Sequence, residues 1–280
     1  MLLEESVLAE ALLQRSEALS MGPPTSLEAV IDYLADEGLQ LRYYDPLQAP
    51  EDIRNTASQI DEALVRNGSH RVLFINRDRP RSRIRFSLWH GIGHFCLPSH
   101  DHLNYVSRGC TMSPGSHRPY ERQADRFAAA MNMPPSSFQP DMFDLPFGMP
   151  SIERLAERYI ASVESAAIHY VNLSNSPCAL ISLRPDYTDQ GFGKPASPLG
   201  IRYYVKSQRF SFPLRSGTRI PFEDPLFWIC SEKGLPVNGE ISGRLLGLKE
   251  DVILEAECRP QGRNGNVLAL VSLPRQAYWW

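Results

Sequence analysis

The sequence predicts an α+β protein: a mainly helical N-terminal part with a small sheet, then a sheet-rich C-terminal part. Two observations carry this. Up to about residue 175 apolar residues recur mostly at helical spacing, whereas from Cys178 they gather in the short β-rich runs CALISL, IRYYV, RFSFPL, VILEAECR and VLALVSL, separated by Gly, Pro and Asn turns. A length of 280 residues also exceeds what one core usually serves, which predicts two compact units. The expected division is a first domain over 1–150, a two-helix segment over 151–175 and a sheet domain over 176–280.

Each element follows from local chemistry. The start, MLLEESVLAEALLQRSEAL, is an amphipathic helix with acids near its first turn; it lacks the basic start and continuous apolar core of an export signal, so the expected location is the cytoplasm. After Gly22-Pro23-Pro24, Thr25 or Ser26 caps LEAVIDYLADE, and Gly38 ends that helix. LQLRYY alternates as a strand. ASQIDEAL and HRVLFIN flank Asn67-Gly68 as a hairpin, although ASQIDEALVR would also make a passable helix. RIRFSLWHGIGHFCL reads as a buried helix and YERQADRFAAAMNM as a second, stopped by Pro134-Pro135. PSIERLAERYIASVESAAIHYVNLS gives two short helices hinged near Ala161-Ser162, and PLFWICSEK one more among the strands.

Charge and composition narrow the function. A net charge of −3 offers phosphate backbones no overall attraction, so nucleic-acid binding would need a local patch. The best candidate is Arg77, Arg79, Arg81, Arg83 and Arg85; the plainer reading is a solvated face. The second helix of 153–173 offers only His169 and Asn172 as polar readers, which disfavours DNA contact. No run reaches the roughly 20 apolar residues of a membrane span. Five dispersed cysteines without a CxxC pair read as reduced thiols. Tyr278-Trp279-Trp280 is expected to pack back on the sheet or to form a contact surface.

The chemistry is concentrated in two helices. His90 and His94, four apart, project from one helical face about a turn apart and present two imidazoles to one ion. Glu121, opening the next helix, is the natural third ligand, leaving a fourth position open as in catalytic zinc sites. Asp125, one turn on, is expected to accept the second ring N–H of a ligand histidine. Neutral imidazole and carboxylate suit Zn²⁺, with Mn²⁺ or Fe²⁺ as competitors. The small residues of ADRFAAAM allow the close helix contact that a shared metal site needs. His100, Asp101 and His102 form a weaker second grouping, for which an exposed polar loop is the plainer reading.

RFSLWHGIGHFCL followed by ERQADRFAAAMNMPP resembles the paired signature of the ImmA/IrrE family of metallo-endopeptidases, in which HE-x-GH precedes E-x-x-A-[ND]-x-F-A and a terminal MP. The VLFIN strand and ERLAERYIASVESAAIHYV are also similar to the family, the latter to its helix-turn-helix-like segment. The resemblance implies a zincin-like metallopeptidase domain over 1–150 and, as in longer members, a GAF-like sensory or regulatory domain over 176–280. It implies His90, His94 and Glu121 as metal ligands and Asp125 as the acid behind them. It also implies a helix-turn-helix transcriptional repressor as substrate or binding partner, in a stress or DNA-damage response.

One position departs from the pattern. Gly91 stands where the family has a glutamate that takes a proton from the attacking water and later passes it to the leaving amine. Losing a general base costs about 10²- to 10⁴-fold in rate. On sequence alone the glycine brings the helix nothing, since it is worse than alanine there by about 1 kcal/mol. Decay to a non-catalytic role, an introduced change, or rescue by another group such as His100, His102 or His117 all remain open. The expected function is therefore a zinc-dependent endopeptidase of this type with activity impaired or lost. The alternative is a non-catalytic metal-binding regulator that binds a repressor or a small ligand.

Overall fold

The computed structural model describes residues 4–67, 70–100, 104–107, 119–185, 199–220, 225–249, 252–262 and 264–274. The turn at Gly68, and Asp101, His102, Cys110, His117 and the Tyr278-Trp279-Trp280 end, lie outside them. The fold is α+β, and its contacts divide the chain into two units: residues 1–145 with 153–166, and residues 146–152 with 167–280.

The first unit opens with α1 (Glu4–Arg15) and α2 (Leu27–Asp36), the latter capped by the Ser26 hydroxyl, which accepts from the Ala29 N–H. Gly38, at φ +90°, turns the chain into β1 (Leu39–Tyr44). α3 (Glu51–Gln59) comes next, then the hairpin of β2 (Glu62–Asn67) and β3 (His70–Asn76). The expected first hairpin arm thus begins late: Ala57 to Gln59 close α3, whose first turn carries Glu51 and Asp52 where the helix N-terminus favours acids. The sheet order is β1-β3-β2-β4, with β1 parallel to β3 and the short edge strand β4 (Tyr105–Ser107) antiparallel to β2.

The helices that carry His90, His94 and Glu121 pack on this sheet. α4 (Arg81–Cys96) lies on β3 and β2, α5 (Pro119–Asn132) lies on α4, and α1 on α5. Gly93 is what brings α4 and α5 together: a Cβ there would sit 3.0 Å from the Phe127 ring and 3.4 Å from the Ala124 Cα. Arg85 ties the start of α4 to its surroundings, donating to Asn132 Oδ1 at 2.6 Å and to the Thr25 carbonyl. Arg79 and Arg83 close on buried Asp61 at 2.6 and 2.8 Å. Three of the five alternating arginines are therefore committed within the fold, and the five do not form one basic patch.

α6 (Pro135–Phe143), α7 (Met149–Arg158) and α8 (Val163–Leu173) complete the helices before the second sheet. α6 starts directly after Pro134; Pro135, which stops α5, also suits the first turn of a helix, where its missing N–H costs nothing. The α7–α8 turn passes through Ile160 at φ +51°, at the expected hinge.

Among the described residues the second unit carries a six-stranded sheet, order β7-β6-β5-β10-β9-β8, antiparallel throughout. Its strands are β5 (Cys178–Pro185), β6 (Leu199–Lys206), β7 (Arg219–Ile220), β8 (Val237–Ser242), β9 (Ile253–Gln261) and β10 (Asn266–Ser272). α9 (Pro225–Lys233) packs on β8, β9 and β10. RFSFPL, expected as a strand, is not one. Its alternation reflects Phe210 and Leu214, which drop into the core from an irregular segment whose turn begins with Phe210 N–H donating to the Ser207 carbonyl. Segment 146–152 joins this unit through Glu257, whose Oε2 accepts from the Met149 N–H at 2.9 Å at the start of α7. Gly148, at φ +144°, leaves room for that carboxylate, since a Cβ would lie 2.6 Å from Oε1.

Candidate metal centre

His90 and His94 leave the same face of α4, and their rings meet edge to face with centroids 4.7 Å apart. The close α4–α5 crossing brings Glu121, in the first turn of α5, opposite both: Oε2 is 3.5 Å from His90 Nε2 and Oε1 is 3.7 Å from His94 Nε2. Ligand atoms of the three residues all lie within 4.8 Å of one another. The histidines are 1% and 2% exposed, and neither Nε2 has a hydrogen-bond partner among the described residues. Buried polar nitrogens are rarely left unsatisfied, because desolvation without a partner costs a few kcal/mol. Two such nitrogens converging beside a carboxylate fit a divalent cation. Glu121, 29% exposed, forms the open side.

The outer ring nitrogens have partners of their own. His90 Nδ1 lies 2.7 Å from Glu62 Oε1, and that carboxylate is 3% exposed. Glu62 is the first residue of β2, pairs across the sheet with Ile75 and Ser107, and points the same way as Leu64. His94 Nδ1 lies 2.8 Å from Nδ1 of His100, whose Nε2 is in turn 3.2 Å from Gln123 Oε1 on α5. Tyr105 of β4 stacks on the His94 ring, centroids 3.6 Å apart. Burial alone would lower the His90 pKa, but Glu62, with Asp125 and Glu121 behind it, raises it above 6.5. Burial pushes His94 down to about 4, so its ring is neutral near pH 7, as a metal ligand requires.

Three sequence expectations change here. Asp125 does not take an outer ring N–H: its Oδ1 lies 3.6 Å from Nε2 of His90, on the same side as Glu121, because a one-turn step along α5 keeps it facing the shared cleft. His100 is not on an exposed loop but fully buried, held by a 3-10 turn (Pro98–His100) directly after α4. Gly91 does have a packing role. A Cβ at this position would stand 2.3 Å from Leu73 Cδ1 and 2.9 Å from Cδ2, and Leu73 is buried in the core of the unit. Position 91 is thus packed against β3, and Leu73 occupies the space that a side chain there would enter. Glu62 was missed, although period-two alternation back from Leu64 places it on the inward face.

A sequence profile of the IrrE N-terminal-like domain of the M78 peptidases matches residues 37–169. No curated protein matches the chain. Among solved structures, a Mycobacterium tuberculosis transcriptional regulator is similar in fold over 97% of this chain and 77% of its own, with a TM-score of 0.54 and 12% identity.

Proposed function

Because residues 37–169 belong to the IrrE N-terminal-like peptidase family, we propose that this chain is a zinc-binding regulator of the ImmA/IrrE type that acts on a helix-turn-helix repressor without effective peptide hydrolysis. In this reading the first unit is zincin-like, with His90, His94 and Glu121 as ligands and Asp125 flanking them. The second unit, with its six-stranded antiparallel sheet, is a GAF-like regulatory module. The single observation that carries the metal assignment is the pair of buried Nε2 atoms that, among the described residues, make no hydrogen bond and converge on Glu121. Bound there, zinc would supply Lewis-acid polarisation and an acidified water.

The protein's own residues divide the remaining work. Glu121 neutralises charge, and Glu62 and His100 hold the two imidazoles from behind. Position 91 supplies no carboxylate to take a proton, and Leu73 fills the adjoining space. That packing favours a role in binding the repressor over one in cutting it. The transcriptional regulator of similar fold is in keeping with a regulatory role.

The test pairs a purified repressor with three forms of the metal-loaded protein. The unmodified chain is expected to bind the repressor without cleaving it. Gly91→Glu combined with Leu73→Ala, which makes room for the carboxylate, is expected to introduce chelator-sensitive cleavage, and Gly91→Gln with Leu73→Ala is not. Efficient chelator-sensitive cleavage by the unmodified chain, equal to that of the glutamate form, would overturn the reading.

A further inference from the structure

Two buried residues outside the family signature sit directly behind the proposed ligands. Glu62 Oε1 is 2.7 Å from His90 Nδ1, and His100 Nδ1 is 2.8 Å from His94 Nδ1, with His100 Nε2 3.2 Å from Gln123 Oε1. Donor and acceptor rules constrain these contacts. A carboxylate only accepts, so His90 donates from Nδ1. If a neutral His100 donates from Nε2 to the Gln123 carbonyl, its Nδ1 carries a lone pair and His94 donates to it from Nδ1. With both rings in the neutral form, each relay ends with an Nε2 lone pair facing Glu121.

We propose that Glu62 and His100 are positioning residues of the metal centre, fixing His90 and His94 in the Nδ1–H tautomer so that both Nε2 atoms are ready to coordinate. This rests on the metal-centre reading and deepens it. The two supports differ in kind. Glu62 is a buried carboxylate that strengthens His90 as a donor, as carboxylates behind ligand histidines do. His100 instead relays a hydrogen bond from Gln123, on the helix that carries Glu121. Glu62 is set by the strand adjoining the edge of the sheet and His100 by the turn that ends α4, so the centre is referenced to three elements at once.

The experiment has two arms. Long-range ¹H–¹⁵N correlation spectra of the metal-free, uniformly ¹⁵N-labelled full chain at neutral pH read the ring nitrogens directly. His94 is expected as the Nδ1–H tautomer and His100 as Nε2–H; the reverse pattern overturns the proposal, whether or not the protein binds zinc. Competitive chelator titration with zinc then compares the unmodified chain with Glu62→Gln, Glu62→Ala, His100→Ala and Gln123→Leu. The expected loss is roughly 10- to 100-fold in affinity for Glu62→Ala and His100→Ala. A smaller loss is expected for Gln123→Leu, with His100 then shifting tautomer. Unchanged affinity in folded Glu62→Ala and His100→Ala makes them merely structural. An unmodified chain with Nδ1–H histidines that takes up no zinc would sink the metal reading while leaving the tautomer assignment standing.

Discussion

The unit formed by residues 1–145 and 153–166 buries Glu5, Asp61, Glu62, Arg85, His90, His94 and His100, whereas the buried polar side chains of the unit formed by 146–152 and 167–280 are, among the described residues, all serines. Both cores are otherwise ordinary clusters of aliphatic and aromatic side chains. Burying an ionisable group costs several kcal/mol unless it is paired and hydrogen-bonded. In the first unit Asp61 has its two arginines, Arg85 its asparagine and carbonyl, and the histidines their rear partners. Among the described residues the Nε2 atoms of His90 and His94 make no hydrogen bond, and Glu121 of α5 faces them at 3.5 and 3.7 Å. The contrast teaches that the first core is built around a polar site, while the second is held by apolar packing.

The largest expected effect breaks the first half of that contrast. His90→Ala or Glu121→Ala should reduce bound metal from close to one equivalent per chain to near none, measured by elemental analysis after gentle purification. Retention of metal in both variants would show that the cleft is not the site.

The second half is tested by Phe227→Ala. Phe227 is 1% exposed in the core of the sheet unit, and the truncation should cost about 3–5 kcal/mol in denaturant unfolding. Metal content should not change. A parallel loss of metal would mean that the two units do not divide their roles in this way.

Gly91 sharpens the comparison inside the first unit. Helix propensity alone says that Gly91→Ala stabilises by up to about 1 kcal/mol, but overpacking against Leu73 should cost about 1–3 kcal/mol. Net destabilisation is expected in the unmodified background. In a Leu73→Ala background the same substitution should become neutral or stabilising. Stabilisation in both backgrounds would show that the close approach is absorbed without cost.

The smallest effect concerns Glu5. Burial pushes its carboxyl upward, but the Arg126 guanidinium at 2.6 Å outweighs this and holds the pKa below 4.5. A depressed carboxylate stabilises the fold above its unfolded value and loses that contribution as pH falls through the folded one. Arg126 is 40% exposed, so solvent screens the pair and Glu5→Gln should cost less than about 1 kcal/mol near neutral pH. The difference should vanish in acid below the depressed pKa; a gap that persists there would point to lost packing instead.

Much was legible in the sequence because it depends on local period and punctuation. The α+β class, the helices bearing His90, His94 and Glu121, the Gly38 stop, the α7–α8 hinge and strands β1, β3, β5, β6, β9 and β10 all come from spacing and from turn residues. So does the convergence of the two histidines on one face, since a four-residue step along a helix is nearly a full turn. Tertiary structure decided what stands behind and beside them. Glu62 and His100 lie 28 and 6 residues from their partners along the chain, and no local rule pairs them. Gly91 reads as a helix defect until Leu73 of a neighbouring strand is found against it. Asp125 has the right spacing for an outer partner, yet its side chain faces the cleft. β7, with two residues, is too short to show a period, β8 (VNGEIS) is mostly exposed and carries only Val237 and Ile241 as apolar residues, and RFSFPL shows a period without forming a ladder. Periodicity reports which face of an element is buried; what meets that face is settled only by packing between elements distant in sequence.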